Sequence, residues 1–371
     1  MSMHLTKEVG ARAPQRHKET RVYEFVAPSE PRFTKHETDA VRPKAEMIVR
    51  EIQHELTSAL FELDPTATCI EDSWDRAHGR GGGITRVLTD GKVFEKAGVA
   101  VSVTIGTLPL VAAEKMTAHH AKVAFAVKEA KQRGATELPL FAASVSTVIH
   151  PHNPHAPTGH MNYRFFQLGL PGENGDDFEP LCWWCGGGGD LTPSILYHED
   201  ARLFHQAHKD MLDEFDTSLY PRFKKWCDEY FLIKHRGETR GIGGIFFDDL
   251  DEETLPQAAL LQMLRNGGAA FTKSFTQCVR QRCDSEFEEH HKLWQQVRRG
   301  RYVEFNLVYD RGTSFGLLKP GARIESILMS MPLTARWEYC HETTHAYQDE
   351  LLEACRNPVD WLRTDQSSAS N

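Results

Sequence analysis

Two runs of alternating residues, Phe141 to His150 and Gly159 to Leu168, constrain the fold most. Only the linker Pro151-His152-Asn153-Pro154-His155-Ala156-Pro157 and Thr158 separate them. Alternation of period two marks β-strands. A connection this short makes neighbouring strands antiparallel, because a parallel pair needs a long crossover. Ser146, Val148 and His150 then share one face of the first strand, and His160, Asn162 and Arg164 share one face of the second. The two strands line a patch with a hydroxyl, two imidazoles, an amide and a guanidinium. Val145, Ile149, Phe165 and Phe166 flank these groups, so the patch reads as a buried polar pocket and not as a solvated hairpin.

Further strands are expected at Val99–Gly106, Leu181–Trp184 and Ile242–Phe247, the last ending in Asp248-Asp249. Alternation also suggests a strand over Tyr302–Tyr309, with Tyr302, Glu304, Asn306, Val308 and Asp310 on a polar face, and another over Ser326–Met331. Helices are expected at Val41–Leu63, where Ile48, Ile52, Leu56 and Leu60 recur every four residues, and at Glu114–Arg133 before Gly134. Glu199–Tyr230, Leu255–Cys283, a run from Glu286 to before Gly300, and Tyr339–Cys355 complete the helical set. The simplest packing is a single α+β domain over residues 40–371: a large, mainly antiparallel sheet flanked by α-helices on both faces. Residues 1–39, polar and carrying Pro14, Pro28 and Pro31, read as a flexible arm.

The net charge of -9 argues against a nucleic-acid surface, so an anionic ligand must be held by local arginines. No run of about 18 apolar residues suggests a membrane span. The N-terminus lacks the apolar core of a secretory signal, and Glu8, Glu19, Glu24 and Glu30 speak against a transit peptide. A cytoplasmic protein is expected, with a mitochondrial address as the lesser alternative. Eight cysteines are then reduced thiols. Cys182 and Cys185 match CxxC, but residues three apart on a strand face opposite sides, so they are structural. The glycines Gly79 and Gly81–Gly83 open into a β-like run, not a helix, which suits a loop over a pocket better than a phosphate cradle.

His150, His160, His205 and His235 could together form a divalent-metal site. His341-Glu342-Thr343-Thr344-His345 has the zinc-hydrolase spacing, but no third-ligand motif follows it. A catalytic zinc there is the weaker reading.

Several longer motifs resemble a known family. They include Gly98-Val99-Ala100-Val101-Ser102, Asn153 to Thr158 with His160, Asn162 and Arg164, and Trp183-Trp184 with Gly186 to Pro193. Tyr220 to Cys227, Gly241 to Asp249, Gly300 to Gly316 and Gly321-Ala322-Arg323 through Pro332 follow in order. From about Lys44 to Trp361 the chain resembles the oxygen-dependent coproporphyrinogen-III oxidases. The resemblance implies a homodimer that converts two propionates of coproporphyrinogen III to vinyl groups. Molecular oxygen would be the co-substrate, with no organic cofactor and no metal required.

It further implies catalytic roles for His160, Asp310 and Arg311, and substrate contacts at Ser146, Asn162, Tyr163, Arg164, Asp190, Gly321, Ala322 and Arg323. The chemistry agrees. A tetra-acid needs guanidinium partners, and Arg164, Arg311 and Arg323 are available. A carboxylate such as Asp310 can accept the convergent pyrrole N–H groups, and His160 can accept a proton.

Overall fold

The computed structural model describes residues 15–16, 25–35, 40–76, 80–116, 121–171, 178–318 and 322–363. The elements run β1 (Gln15–Arg16), α1 (Val41–Leu63), β2 (Thr68–Asp75), β3 (Gly81–Thr89), β4 (Phe94–Pro109), α2 (Leu110–Met116) and α3 (Ala121–Gln132). Next come β5 (Glu137–Pro151), β6 (Thr158–Pro171), β7 (Phe178–Thr192), α4 (His198–Asp213) and α5 (Leu219–Tyr230). The short β8 (Leu232–Ile233) and β9 (Glu238–Thr239) precede β10 (Gly244–Leu250). The chain ends in α6 (Gln257–Arg282), α7 (Glu289–Val308), α8 (Arg311–Leu318), α9 (Ile324–Leu328) and α10 (Ala346–Arg356). Eight strands form one antiparallel sheet in the order β1-β2-β3-β4-β5-β6-β7-β10. With helices on both faces this is the expected α+β domain. Among the described residues, no helix is long and apolar enough to cross a membrane.

The odd-numbered residues of the central strands, including Val99, Val101, Phe141, Val145, Met161, Tyr163 and Phe165, form one apolar face. Ile48, Ile52 and Leu56 of α1 and Phe271 and Phe275 of α6 pack in the same core. Each such side chain contributes about 1.5–3 kcal/mol by leaving water. Gly268 lets α1 approach α6, since a Cβ there would lie 2.6 Å from Ile52 Cγ1.

Among the described residues, the even-numbered face is covered at its ends. At one end Ala113, Val123, Ala126 and Ala130 of α2 and α3 pack with Leu168, Leu170, Cys182 and Trp184. Towards the other end lie α7 and the segment of α9: Tyr302 meets the His150 ring edge-on, and Met329 fills the space beside Gly98. Cys182 and Cys185 fall in cores on opposite faces, as strand geometry requires.

Three of the expected helices and strands fail. Tyr302–Tyr309 is not a strand; α7 runs through Gly300 to Val308. Tyr302, Phe305 and Asn306 are buried, while Leu307 and Val308 are 49% and 60% exposed, so the working spacing is helical. Gly300 does not stop the helix. It admits the Arg336 carbonyl, which would lie 2.7 Å from a Cβ. Ser326–Met331 is likewise no strand, because α9 occupies Ile324–Leu328.

The third is the closing helix, which begins only at Ala346. His345 caps it reciprocally with Gln348, so the two histidines of the HETTH segment do not share a helical face. The run Glu114–Arg133 divides into α2 and α3, with residues 117–120 outside the described set. Gly81–Gly83 belong to β3 and not to a loop, and Gly79 lies outside the described residues. Of the arm, Phe33 and Thr34 donate backbone N–H groups to Glu46 of α1, and residues 1–14, 17–24 and 36–39 lie outside the described set.

Candidate active site

Strand register builds the site. Ser146 pairs with Asn162, and His160 pairs with Asp190 on β7. Ser146, His160, Asn162 and Arg164 of the expected patch share one half-buried face of the sheet, while Val148 and His150 are buried. His160 Nδ1 lies 2.6 Å from Asp190 Oδ1. Arg240 Nη2 donates to both Asp190 oxygens at 2.9 and 2.7 Å, and its Nη1 donates to Asn306 Oδ1 at 2.9 Å. Burial opposes charge on Asp190, but Arg240 and then His160 outweigh it and hold the carboxyl below its usual range. An anionic Asp190 accepts a hydrogen bond from His160 Nδ1–H and so leaves the imidazole lone pair on Nε2. Arg240 is itself buried, with its guanidinium 4.2 Å from the Phe231 ring centroid and 4.7 Å from that of Tyr302.

A second group lies along the same strand. Arg164 Nη1 donates to Asn162 Oδ1 at 3.0 Å, and its Nη2 meets Asp248 Oδ2 at 2.8 Å. Arg311 Nη2 lies 3.7 Å from the same Asp248 oxygen, and its guanidinium is 5.3 Å from the Tyr230 ring centroid. The Tyr230 hydroxyl donates to Asp310 Oδ1 at 3.1 Å, and the Thr313 N–H donates to Asp310 Oδ2 at 2.7 Å. Burial, and then the Asp310 charge, push the Tyr230 hydroxyl up to about 12, so it stays a donor at neutral pH. Asp310 thus ties the start of α8 to α5.

Arg323 marks the far side. It pairs with Asp72 on β2 and lies over the Trp74 ring. Asp72, Thr85, Ala100, Ser146 and Asn162 form one cross-strand row. Four strand spacings separate its ends, about 19 Å. The floor between them is small and half-buried: Ala100, Ser102, Ser144 and Ser146. The result is a shallow trough with guanidiniums at both ends and a carboxylate-held imidazole beside one of them.

The protein-family model for coproporphyrinogen III oxidase matches residues 44–361. The chain belongs to the coproporphyrinogen III oxidase family. It is 48% identical over 325 residues to the rat protein named oxygen-dependent coproporphyrinogen-III oxidase, mitochondrial, covering 87% of this chain and 70% of that one. The human protein of the same name is 50% identical over 324 residues, 87% of this chain and 68% of the relative. Coproporphyrinogen-III oxidase 1, chloroplastic, of Arabidopsis thaliana is 47% identical over 343 residues, 92% of this chain and 85% of the relative.

In this member of the coproporphyrinogen III oxidase family, not every expected residue reaches the trough. Tyr163 points into the apolar core, between Phe247 and the space beside Gly267, because odd positions of β6 face away from the site. Burial raises its hydroxyl pKa well above the ordinary range. Ala322 immediately precedes Arg323, while Gly321 lies outside the described residues.

The four histidines do not converge. His150 is sealed, with Nε2 2.9 Å from the Ser330 carbonyl; burial, and then Arg299, push its pKa down to about 3. His205 is held by the Tyr220 hydroxyl at 3.0 Å and the Ile242 carbonyl at 3.2 Å. His235 is exposed and bonded to Tyr309 and Glu304, each at 2.7 Å. In the HETTH segment, His341 meets Glu338 at 2.5 Å and stacks on Trp294, away from His345. Among the described residues, no three His, Cys, Asp or Glu side chains are grouped to hold a metal.

Sequence reasoning missed Arg240, Asn306, Asp248 and Tyr230. Only Asp248 left a signal, as a carboxylate at the end of an apolar strand. Arg240 lies in a two-strand ribbon region too short to show periodicity, and Asn306 was assigned to a strand.

Proposed function

We infer that this family member catalyses the oxygen-dependent oxidative decarboxylation of two propionates of coproporphyrinogen III. They become vinyl groups, giving protoporphyrinogen IX in haem biosynthesis. One observation carries the structural side of this reading: guanidiniums at both ends of a small-residue trough, with His160 oriented by Asp190 beside it. Each turn of the reaction converts a propionate carboxylate, dioxygen and a proton into a vinyl group, carbon dioxide and hydrogen peroxide. The electron-rich tetrapyrrole supplies the two electrons, so the reading needs neither an organic cofactor nor a metal.

In this reading Arg164 and Arg311 seat one propionate and Arg323 another, through charge-assisted hydrogen bonds. His160 Nε2 accepts the β-proton, and Asp190 with Arg240 stabilises the imidazolium that forms. Ser146, Asn162 and the Ala322 backbone meet the ring edge. Asp310, adjoining Arg311, offers its carboxylate to the pyrrole N–H groups. Its present bonds, to the Tyr230 hydroxyl and Thr313 N–H, leave lone pairs on both oxygens.

A homodimer in the cytoplasm completes the proposal. Exposed large apolar residues concentrate between Leu307 and Tyr339, including Leu318, Leu333 and Trp337, as an association surface requires. Cys182, Cys185, Cys227, Cys278, Cys283, Cys340 and Cys355 are free thiols, which suits a reducing compartment.

The test uses chelator-treated protein, reduced coproporphyrinogen III, and air against argon. Vinyl product with stoichiometric peroxide in air, and none under argon, is expected. Activity lost on chelation and restored by zinc or manganese would refute the metal-free mechanism. Tight binding without product would make the chain a tetrapyrrole carrier. Asp310→Ala is expected to abolish turnover with the fold intact, and near-normal kinetics would remove Asp310 from the mechanism.

A further inference from the structure

Asp248 has no role in the reaction as written, yet three separate features of the chain converge on its carboxylate. The register between β10 and β7 breaks between Phe247 and Leu250, so a bulge interrupts the strand there. Bulges re-aim a side chain at the expense of ladder pairing. Within the bulge Asp249 sits at φ 54°, a left-handed conformation uncommon for residues other than glycine. Across the sheet, Gly186 faces Arg164 in register. A Cβ on Gly186 would lie 2.5 Å from Asp248 Oδ1 and 2.8 Å from Arg164 Nη2. The missing side chain at 186 therefore makes room for one ion pair.

That ion pair joins two elements. Asp248 is only 7% exposed, and it meets Arg164 of β6 at 2.8 Å and Arg311 of α8 at 3.7 Å. Two guanidiniums brought together repel unless an anion lies between them. The carboxylate is also anchored from its own backbone, because the Asp249 N–H donates to Asp248 Oδ1 at 3.1 Å. Arg311 stays 57% exposed, so its remaining N–H groups are open to a ligand.

We propose that Asp248 is a positioning residue: it clamps Arg164 and Arg311 side by side, and their remaining N–H groups form one two-guanidinium seat for a single carboxylate arm of the substrate. The proposal rests on the oxidase reading above. It deepens that reading by making this seat, built from sheet and helix together, distinct from the single-arginine seat at Arg323. Asp248 does not leave when substrate arrives, since the bulge and the Asp249 N–H hold it in place.

The experiment compares Asp248→Asn, Asp248→Glu and Gly186→Ala with the wild-type protein. Asp248→Asn keeps the shape and removes the charge. Its KM for coproporphyrinogen III is expected to rise at least about tenfold, as for loss of a charged hydrogen bond, with kcat changed far less. The Glu variant recovers part of the loss. Gly186→Ala, which crowds the pair without touching either charge, reproduces the KM rise.

A fall in KM for Asp248→Asn would show that the carboxylate competes with substrate, and would overturn the proposal. So would a loss of kcat at unchanged KM. If Asp248→Asn fails to fold, Gly186→Ala decides the matter, and an unchanged KM there rejects the clamp. If the wild-type protein gives no vinyl product, the oxidase reading fails on its own. The clamp is then judged by equilibrium quenching of tryptophan fluorescence with coproporphyrin, where equal affinity of wild type and Asp248→Asn rejects it.

Discussion

The two faces of β6 carry different work within one strand. Met161, Tyr163 and Phe165 are sealed in an apolar core. One residue along each time, His160, Asn162 and Arg164 stand half-buried in the trough: His160 meets Asp190, Asn162 accepts from Arg164, and Arg164 meets Asp248. The core face is held by shape and area, which many contacts share. The trough face is held by a few charge-assisted bonds, each with a named partner. Substitutions on the first should therefore change stability with little effect on the surviving chemistry, and exposed substitutions on the second should do the reverse.

The largest effect expected is from Phe165→Ala, a loss of about 3–5 kcal/mol of folding stability from a cavity in a closed core. Chemical denaturation measures it, and KM of the folded fraction should stay near normal. Arg240→Leu tests where the comparison should break. Arg240 is on the site side but fully buried, so its loss leaves the buried Asp190 charge with the His160 imidazole as its remaining partner and costs about 3–5 kcal/mol. Turnover should fall with it, because Asp190, which orients His160, loses the guanidinium that holds it. If stability is unaffected, the Asp190 pair is not the anchor described here.

Arg164→Ala is expected to lower kcat/KM by about 1.5–3 kcal/mol while leaving the melting temperature nearly unchanged. A large drop in stability with normal KM would reverse the assignment of the face. A smaller effect concerns His208 of α4, which packs on Phe204 at 4.3 Å between ring centroids. Burial pushes its pKa down to about 4. The unfolded chain binds this proton near pH 6.5 and the folded chain does not. Its contribution to stability is thus complete above that pH and is lost as pH falls toward 4. His208→Gln should remove about 1.4 kcal/mol per pH unit from the slope across that window, as read from unfolding at several pH values.

The smallest effect is Tyr163→Phe. The Tyr163 hydroxyl is buried with no hydrogen-bond partner among the described residues, so its removal should change stability and kcat/KM by less than about 0.5 kcal/mol. A strong loss of activity would return Tyr163 to the site.

Much of this arrangement could be read before any fold was known. The face shared by Ser146, His160, Asn162 and Arg164 follows from pleating, which is set by each residue's immediate neighbours. Helix α1 was likewise legible to its ends, because its four-residue spacing and polar back face are local signals. Alternation also placed Tyr163 opposite Arg164's face; the family resemblance alone assigned it to substrate.

Local signals failed where two periodicities fit the same residues. Tyr302 to Tyr309 alternates well enough for a strand, yet Tyr302 and Phe305 belong to one helical stripe that seals His150 and Arg240. The alignment of Asp190 with Arg240, and of Asp248 with both Arg164 and Arg311, joins positions 50 to 84 residues apart in order of sequence. No short-range pattern encodes such pairings, because they depend on which strands become neighbours and where a bulge turns the chain. The sequence by itself determined which side chains share a strand face and the family to which they point. Tertiary packing alone decided which charge meets which, since burial makes an unpaired charge too costly to keep and the fold supplies its partner.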